Sequence, residues 1–325
     1  MRCLGVQAAQ GNAQIAKGRL KGDFVPGRPG IRLLGGIPAP AACGRKRGLA
    51  PPETVVAGAG RWVQIRDMTK TLERDETIPE APSVDPAEIE KFRKMAADWW
   101  SPTGKFAPLH KFNPARLTYI RETAVMHFGL EAGAKRPLEG LRLLDAGCGG
   151  GLVTEPMARL GAHAVGLDAG DANIKAAMVH ADSVHVDVDY RVGTVEGLIA
   201  ANEPKFDIVL ALEVVEHVQD AAQFLKDCAS LLAPGGLMVA ATLNRTAKAF
   251  ALAVVGAEHI LRWLPVGTHD WNKFVTPEET QTALTEGGLQ LLDTVGVSFA
   301  PLSGRWSVTR DLSVNYMVTA TRKKD

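Results

Sequence analysis

The chain has 325 residues, a formal net charge of +1 and a hydrophobic fraction of 46%. This length accommodates one large domain with additional segments, and the composition is that of a globular protein. The four cysteines form no CxxC pair, which argues against a disulfide framework or a zinc site and fits the reducing cytoplasm. No apolar run approaches about 18 residues, so the sequence predicts no membrane-spanning helix.

Charge is distributed unevenly along the chain. Residues 1–67 contain 11 Lys and Arg against 3 Asp and Glu, so they carry +8 and the remainder carries −7. A negatively charged main domain does not favour nucleic acid as its partner. Residues 1–67 also hold 12 glycines and no sustained hydrophobic period, so we predict that they are disordered. We expect Met68, which opens a polar leader over residues 68–84, to be the native start.

Regular structure is predicted from Asp85 onward, where Asp-Pro-Ala-Glu is typical of a helix N-cap. A polar, proline-containing stretch separates this helix from a second one near Arg116–Phe128. Strands and helices then alternate, which predicts a parallel sheet with helices on both faces. The predicted strands are Leu141–Ala146, Ala164–Asp168, Asp187–Val192, Phe206–Leu212, Leu237–Leu243, Leu289–Phe299 and Asn315–Thr321. The predicted helices are Leu152–Leu160, Asp171–Ala181, Val195–Ala201, Asp220–Leu232 and one that begins with a capping box at Thr276–Glu279.

The most informative stretch is the first of these strands, which runs into Gly147, Gly149 and Gly151. Alternate glycines let the backbone turn tightly and let a ligand approach closely. Asp168 ends the next strand, 21 residues after Gly147, where a carboxylate can accept hydrogen bonds from both ribose hydroxyls. This pattern fits a nucleotide cofactor, and it fits NAD as well as S-adenosylmethionine.

Three details favour S-adenosylmethionine. Asp145, directly before the loop, would repel a pyrophosphate but can receive the amino group of a methionine moiety. Leu152 stands where the NAD fingerprint has Gly or Ala. The last two predicted strands have no helix between them, which suits a seven-stranded methyltransferase sheet better than a six-stranded parallel one. The predicted cofactor-binding residues are therefore Asp145, Gly147, Gly149 and Asp168.

Four landmarks of the sequence resemble those of class I S-adenosylmethionine-dependent methyltransferases. They are Asp145–Gly151, Gly166–Asp168, Phe206–Asp207 and Pro234–Gly236. The resemblance implies an α/β fold, namely a Rossmann-like seven-stranded sheet with helices on both faces. It also implies that Leu212, which closes the fourth strand, lines the methionine part of the cofactor. Plain core packing is an equally good interpretation of Leu212.

Three further stretches resemble one subfamily, the ubiquinone-biosynthesis O-methyltransferases: Trp99–Arg116, Thr242–Arg245 and Gly267–Phe274. The similarity runs from about Asp85 to the C-terminus. It implies methyl transfer to hydroxyls of polyprenylated phenols and catechols, of the demethylubiquinol and polyprenyl-hydroxyphenol type, with other ubiquinone-biosynthesis enzymes as partners. It also implies that Arg116 binds the cofactor, because a guanidinium suits a methionine carboxylate. The alternative for Arg116 is an ordinary surface arginine.

Glu213, Glu216 and His217 follow the fourth strand at a spacing that places them on one face of a helical turn. Two carboxylates and an imidazole can hold a divalent cation, and the resemblance implies a Mg²⁺ site here. Such a cation would lower the pKa of a catechol hydroxyl and orient it. Alternatively, the acids cap the helix and line the pocket without a metal. His217 and His269 are both candidates for the general base.

Residues 246–264 form an apolar segment that bears on membrane association. Ala249–Ala257 carries no charge and is followed by further apolar residues, with Lys248 and Arg262 at its flanks. The segment is too short to span a bilayer but suits a helix lying in the interface of an anionic membrane. Because a polyprenyl substrate dissolves in the membrane, we predict peripheral association with its inner face. The alternative is an ordinary core or lid helix.

The sequence therefore predicts a methyltransferase domain over residues 85–325, with an N-terminal helical lid and a substrate and membrane insertion at residues 246–274. Two other functions stay open. One is a soluble small-molecule catechol O-methyltransferase of the same fold, and the other is a non-catalytic S-adenosylmethionine-binding component of a biosynthetic complex.

Overall fold

The computed structural model describes residues 54–57, 61–64, 81–252, 270–300 and 305–324. The chain divides into two compact units, Met1–Leu72 and Glu73–Asp325. In the first unit, Thr54–Ala57 (β1) pairs antiparallel with Arg61–Gln64 (β2), a hairpin that the sequence analysis did not predict. The rest of the predicted disordered segment, together with the proposed start at Met68, lies outside the described residues.

The second unit is built on an eight-stranded sheet with the strand order β5-β4-β3-β6-β7-β10-β8-β9. Neighbouring strands from β5 to β7 run parallel, and β10 lies antiparallel between β7 and β8. The strands are β3 (Arg142–Ala146), β4 (His163–Asp168), β5 (Asp189–Val192), β6 (Phe206–Leu212), β7 (Leu232–Leu243), β8 (Leu289–Ala300), β9 (Arg305–Thr309) and β10 (Asn315–Arg322).

Helices connect and cover these strands, and two of them begin at the predicted caps. Asp85 accepts a hydrogen bond from the Ala87 N–H at 3.0 Å, and Thr276 and Glu279 form a complete capping box. No helix in the described ranges is long and apolar enough to cross a membrane. The helices are α1 (Pro86–Arg93), α2 (Ala107–Phe128), α3 (Thr154–Arg159), α4 (Asp171–Ser183), α5 (Val195–Ala200), α6 (Ala221–Ser230), α7 (Ala247–Ala249) and α8 (Pro277–Glu286).

The sheet is covered on both faces, because successive residues of each central strand point into different cores. Leu143 packs in one core with Ile120 of α2, whereas its neighbour Leu144 packs in the other core with Leu225 of α6. All four side chains are fully buried. The predicted Rossmann-like architecture with helices on both faces is confirmed.

The sheet has eight strands where the sequence analysis predicted seven. The additional strand, β9, pairs antiparallel with β8 at the sheet edge. Its five residues, Arg-Trp-Ser-Val-Thr, alternate polar and apolar side chains, a short strand pattern that the sequence analysis did not use. Trp306 anchors it through ring contacts with Phe112 at 5.5 Å and with Phe299 at 5.3 Å, between ring centroids.

Helix α2 begins at Ala107, nine residues before the predicted start, so Pro114 lies inside it. An internal proline removes one backbone hydrogen bond and usually ends a helix. Here the helix continues because Phe112, Asn113 and Arg116 are buried around it, and this tertiary packing outweighs the local cost. Arg116 therefore lies in the middle of a helix and not at a helix start.

Candidate functional site

The carboxyl ends of the parallel strands border a cleft of about 140 Å³. The loop after β3 and the ends of β4 and β6 form one side of it. Helix α1 and the Trp99 indole form the other side. Gly147, Gly149, Asp168, Glu213 and His217, all predicted site residues, line this cleft.

The glycine loop lies against neighbouring side chains so closely that no side chain fits on it. Gly147 and Gly149 have φ angles of 76° and 54°, in the left-handed region that favours glycine. A Cβ atom at Gly147 would lie 2.4 Å from Val214, and one at Gly149 would lie 2.5 Å from the Trp99 ring. Glycine at these two positions therefore lets Val214 and Trp99 pack directly against the backbone of the loop.

Asp168, at the end of β4, fixes the geometry of this loop. Its Oδ2 accepts a hydrogen bond from the Gly149 N–H at 2.9 Å. Its Oδ1 accepts from the Gly170 N–H at 2.8 Å and from the Asn173 amide at 3.1 Å. Burial raises the pKa of Asp168. A carboxylate has about four acceptor positions, so one is left for a ribose hydroxyl, where the sequence analysis expected two.

We expect Asp168→Ala to weaken S-adenosylmethionine binding by about 10- to 150-fold, the loss that follows from one hydrogen bond to a charged group. Isothermal titration calorimetry on the purified variant measures this. Asp171→Ala is the matched control, because Asp171 starts the adjacent helix and pairs there with Lys175 at 2.7 Å. Equal affinities for the two variants would remove Asp168 from the cofactor site.

Arg116 is buried, with 3% of its surface exposed, so its interpretation as a surface arginine is wrong. Its Nη1 lies 3.4 Å from Glu213 Oε1, and its Nη2 donates to Asn113 Oδ1 at 2.5 Å. Burial lowers the pKa of Arg116, and the charges of Glu213, Asp145 and Glu216 oppose that effect. Its buried Nε has no acceptor among the described residues, and Arg116 is not among the residues that line the cleft.

Asp145 and Leu212 lie behind the cleft wall and are not among its lining residues in the described part of the chain. Asp145 accepts a hydrogen bond from Thr154 Oγ1 at 2.6 Å, and burial raises its pKa to about 6. Leu212 is buried in one of the two cores, and the next residues, Glu213 and Val214, line the cleft. Leu212 therefore packs in the core, and its contact with the cofactor stays a prediction.

The three predicted metal ligands do not share one helical face. Glu213 has a φ of 53°, and the helical turn that follows includes only Val215–His217. A left-handed residue between strand and turn directs Glu213 away from the positions that continuous helical spacing would give. The assumption of one helical turn from Glu213 to His217 was wrong.

Each predicted ligand has a different partner. Glu213 lies beside Arg116, Glu216 accepts from Thr242 Oγ1 at 2.7 Å, and the His217 Nδ1 lies 2.9 Å from Glu88 Oε2. Burial and the neighbouring Glu213 raise the pKa of Glu216 to about 8. Within the described ranges, no group of three or more His, Cys, Asp or Glu side chains is arranged to hold a metal ion. The described arrangement of Glu213, Glu216 and His217 does not fit a Mg²⁺ site. Mg²⁺ binding at these residues stays a prediction.

Glu88 and Trp99 are two of the cleft side chains that were not predicted as site residues. Glu88 was interpreted as a capping acid of α1, and Trp99 was used only as the start of the Trp99–Arg116 stretch that resembles the family. The Trp99 indole donates to Asn173 Oδ1 at 2.9 Å and stacks on Phe106 at 3.7 Å between centroids. His269, the second candidate base, lies outside the described residues, so the structure brings only His217 to the cleft.

Comparison with known proteins places this chain among methyltransferases. A family model described as a methyltransferase domain matches residues 144–240. A magnesium protoporphyrin IX methyltransferase from Synechocystis PCC 6803, solved with bound SAH, has a similar fold, with a TM-score of 0.50 and 18% identity. The comparison covers 78% of this chain and 99% of that one.

Curated relatives give a narrower family. The ubiquinone biosynthesis O-methyltransferase of Parvibaculum lavamentivorans is 59% identical over 75% of this chain and 96% of its own length. That of Maricaulis maris is 58% identical over 74% of this chain and 94% of its own length. The predicted resemblance is confirmed, and the chain belongs to the family of ubiquinone biosynthesis O-methyltransferases.

Proposed function

We propose that this chain transfers the methyl group of S-adenosylmethionine to a phenolic hydroxyl of a polyprenylated intermediate of ubiquinone biosynthesis. The observation that carries the proposal is the cleft formed by the glycine loop and Asp168. It occurs in a chain that is 59% identical to a protein named ubiquinone biosynthesis O-methyltransferase. The enzyme class and the methyl donor follow from the family, whereas the acceptor hydroxyl depends on the cleft and on its base.

The residues of the cleft fit the methyl donor. When bound, S-adenosylmethionine supplies an electrophilic methyl group on a sulfonium. Gly147 and Gly149 line the cleft with backbone, and Asp168 keeps one acceptor position for a ribose hydroxyl. Arg116 lies behind the cleft wall beside the lining residue Glu213, and its guanidinium suits the methionine carboxylate. The low exposure of these groups keeps water away from the reacting atoms.

A phenolic hydroxyl is a weak nucleophile until it loses its proton, so the site needs a base. We propose His217 for this role, because it lines the cleft and burial lowers its pKa, which keeps the imidazole neutral and able to accept a proton. In-line approach of the phenolate oxygen to the methyl carbon then requires only correct positioning in a dry site.

The deciding experiment is a methylation assay with S-adenosylmethionine and a polyprenylated catechol, run beside a short-chain catechol. We expect the long-chain acceptor to be methylated with the higher kcat/KM. Equal rates would favour a soluble small-molecule methyltransferase, and no turnover with either acceptor would favour a non-catalytic binding protein. An added EDTA arm tests the Mg²⁺ prediction, which full activity of the metal-free protein would contradict.

The second part of the proposal is that residues 246–264 bind to an anionic membrane surface. The enzyme needs this contact because a polyprenyl substrate dissolves in the membrane. On either side of the undescribed residues 253–269, the side chains Phe250, Leu252 and Trp271 are exposed by 41%, 54% and 37%. Phe250 and Trp271 contact each other edge to face at 6.3 Å between centroids. Exposed aromatic and aliphatic groups of this kind suit insertion at the membrane interface.

Co-sedimentation with anionic liposomes tests this membrane contact. We expect the double variant Phe250→Glu plus Trp263→Glu to lose binding, because each charge would have to enter the apolar part of the interface. Met126→Glu is the matched control, since Met126 is an apolar side chain that is 79% exposed on α2. Equal binding by the wild type and the double variant would leave residues 246–264 as a lid.

A further inference from the structure

One hydrogen-bonded pair of the cleft, Glu88 and His217, is not used by the function proposed above. The His217 Nδ1 lies 2.9 Å from the Glu88 Oε2, and 129 residues separate the two in sequence. Phe92, one turn after Glu88 on α1, meets the His217 ring edge to face at 4.9 Å between centroids. Two side chains of one helix therefore hold this imidazole, one through its ring nitrogen and one through its face.

Glu88 is kept ionised by its surroundings. The Lys91 ammonium lies 2.6 Å and the Lys273 ammonium 4.0 Å from its carboxylate. An ionised carboxylate only accepts hydrogen bonds, so the His217 Nδ1 must carry the proton that it donates to Glu88.

The opposite ring nitrogen of His217 is left with its lone pair. No described residue forms a hydrogen bond with Nε2, and Nε2 is not among the buried unpaired atoms. His217 itself lines the cleft. In a neutral imidazole with Nδ1 protonated, Nε2 is the basic nitrogen, so the proton-accepting atom and the open side of the ring coincide.

We infer that Glu88 is a positioning residue that fixes His217 in its Nδ1–H tautomer, so that α1 completes the catalytic site when it covers the cleft. This inference rests on the proposed function, in which His217 takes the proton of the phenol. Glu88 acts through His217 and does not itself touch the substrate.

The contacts that hold α1 over the cleft support this role. Lys273 pairs with Asp85 at 2.7 Å, directly before the helix. The Ser83 N–H donates to Glu196 at 3.0 Å, and Gln219 donates to the Val84 carbonyl at 2.8 Å. These bonds join the start of α1 to α5 and to the segment after His217. These contacts therefore set the position of Glu88 independently of its hydrogen bond to His217.

The tautomer can be read directly by ¹⁵N NMR of the imidazole nitrogens in the full chain, with His217→Gln used to assign the signal. We expect a pyrrole-type Nδ1 and a pyridine-type Nε2 in the wild type. Glu88→Ala should lose this pattern, and its kcat should fall by about 10- to 100-fold, as is typical for loss of an outer-shell carboxylate partner. The KM for S-adenosylmethionine should stay the same, because Glu88 does not hold the cofactor.

Two further variants separate positioning from helix stability. Glu88→Gln keeps an oxygen that accepts from Nδ1–H and should recover most of the lost kcat. Glu90→Ala, on the same helix, removes ion pairs with Arg93 and Lys94 and should leave kcat unchanged.

A protonated Nε2 in the wild type, or a wild-type kcat in Glu88→Ala, would overturn the inference. If the wild type shows the Nδ1–H tautomer but methylates no phenol, the proposed function fails and the positioning of His217 stands.

Discussion

Replacing Arg116 by Met should abolish detectable S-adenosylmethionine binding and lower the free energy of unfolding by about 3–5 kcal/mol, the usual cost of leaving a buried charge unpaired. Arg116 is the buried cation that faces Glu213, Asp145 and Glu216. Its loss would leave these acids without a counter-charge and would remove the donor proposed for the methionine carboxylate. Calorimetric titration and denaturant unfolding measure the two effects separately.

A double variant distinguishes the cofactor role of Arg116 from its structural role. Arg116→Met combined with Glu213→Gln removes the nearest uncompensated carboxylate, so we expect part of the lost stability to return. Cofactor binding should stay lost, because the guanidinium donors are still missing. Lys111→Met is the control for an exposed cation on the same helix. Recovery of both properties in the double variant would show that Arg116 is only structural.

Arg116→Lys sharpens the same test. Lysine keeps the positive charge but lacks the planar fork of donors that matches a carboxylate. We expect stability closer to the wild type and cofactor affinity closer to Arg116→Met. Comparing the two variants separates the effect of hydrogen-bond geometry on cofactor affinity from the effect of the positive charge.

The central part of the fold was predictable because its signals are local. β6 has the predicted bounds Phe206–Leu212, and the turn after β3 was recognised from its glycines. The side chains that fill such strands are apolar over a short run, and the residues that bend the chain are glycines with few alternatives. These two signals need no knowledge of distant residues, so they predicted where the strands and the glycine turn lie along the chain.

The errors occurred where tertiary contacts outweigh local rules. Pro114 argued for a loop, yet α2 passes through it because its flanking residues are buried. The polar and apolar alternation of β9 covers only five residues, and the contact of Trp306 with Phe112 holds this short strand at the edge of the sheet. In both cases a contact with a distant part of the chain decides the conformation, and one sequence contains no record of that contact.

The functional site, like the fold, contains residues that local signals predict and residues that only tertiary contacts reveal. Gly147, Gly149 and Asp168 were found from spacing, and the structure places all three on the cleft. Glu88 was missed because its place in the first turn of α1, three residues after the N-cap Asp85, already explained an acid there, and its partner His217 is 129 residues away. The spacing from Glu213 to His217 suggested one helical face, but a positive φ at Glu213 interrupts it. Backbone conformation, which spacing does not encode, decided this case.

Replacing His217 by Gln should lower kcat by about 10²- to 10⁴-fold, the contribution expected of a general base. The KM for S-adenosylmethionine should change little, because the lost proton transfer belongs to the chemical step. Glutamine fills similar space and keeps a group able to reach Glu88, so the fold should persist, which thermal unfolding checks. The measurement is steady-state methylation of a polyprenylated catechol.

His269→Gln is the comparison that makes this prediction selective. A large loss of kcat in that variant, with His217→Gln close to the wild type, would assign the base to His269. Raising the pH provides an independent check, because the phenol then ionises without help and needs no base. If His217 is the base, the ratio of the wild-type rate to the His217→Gln rate should fall as the pH approaches the pKa of the phenol. A ratio that does not change with pH would mean that His217 contributes positioning and not proton transfer.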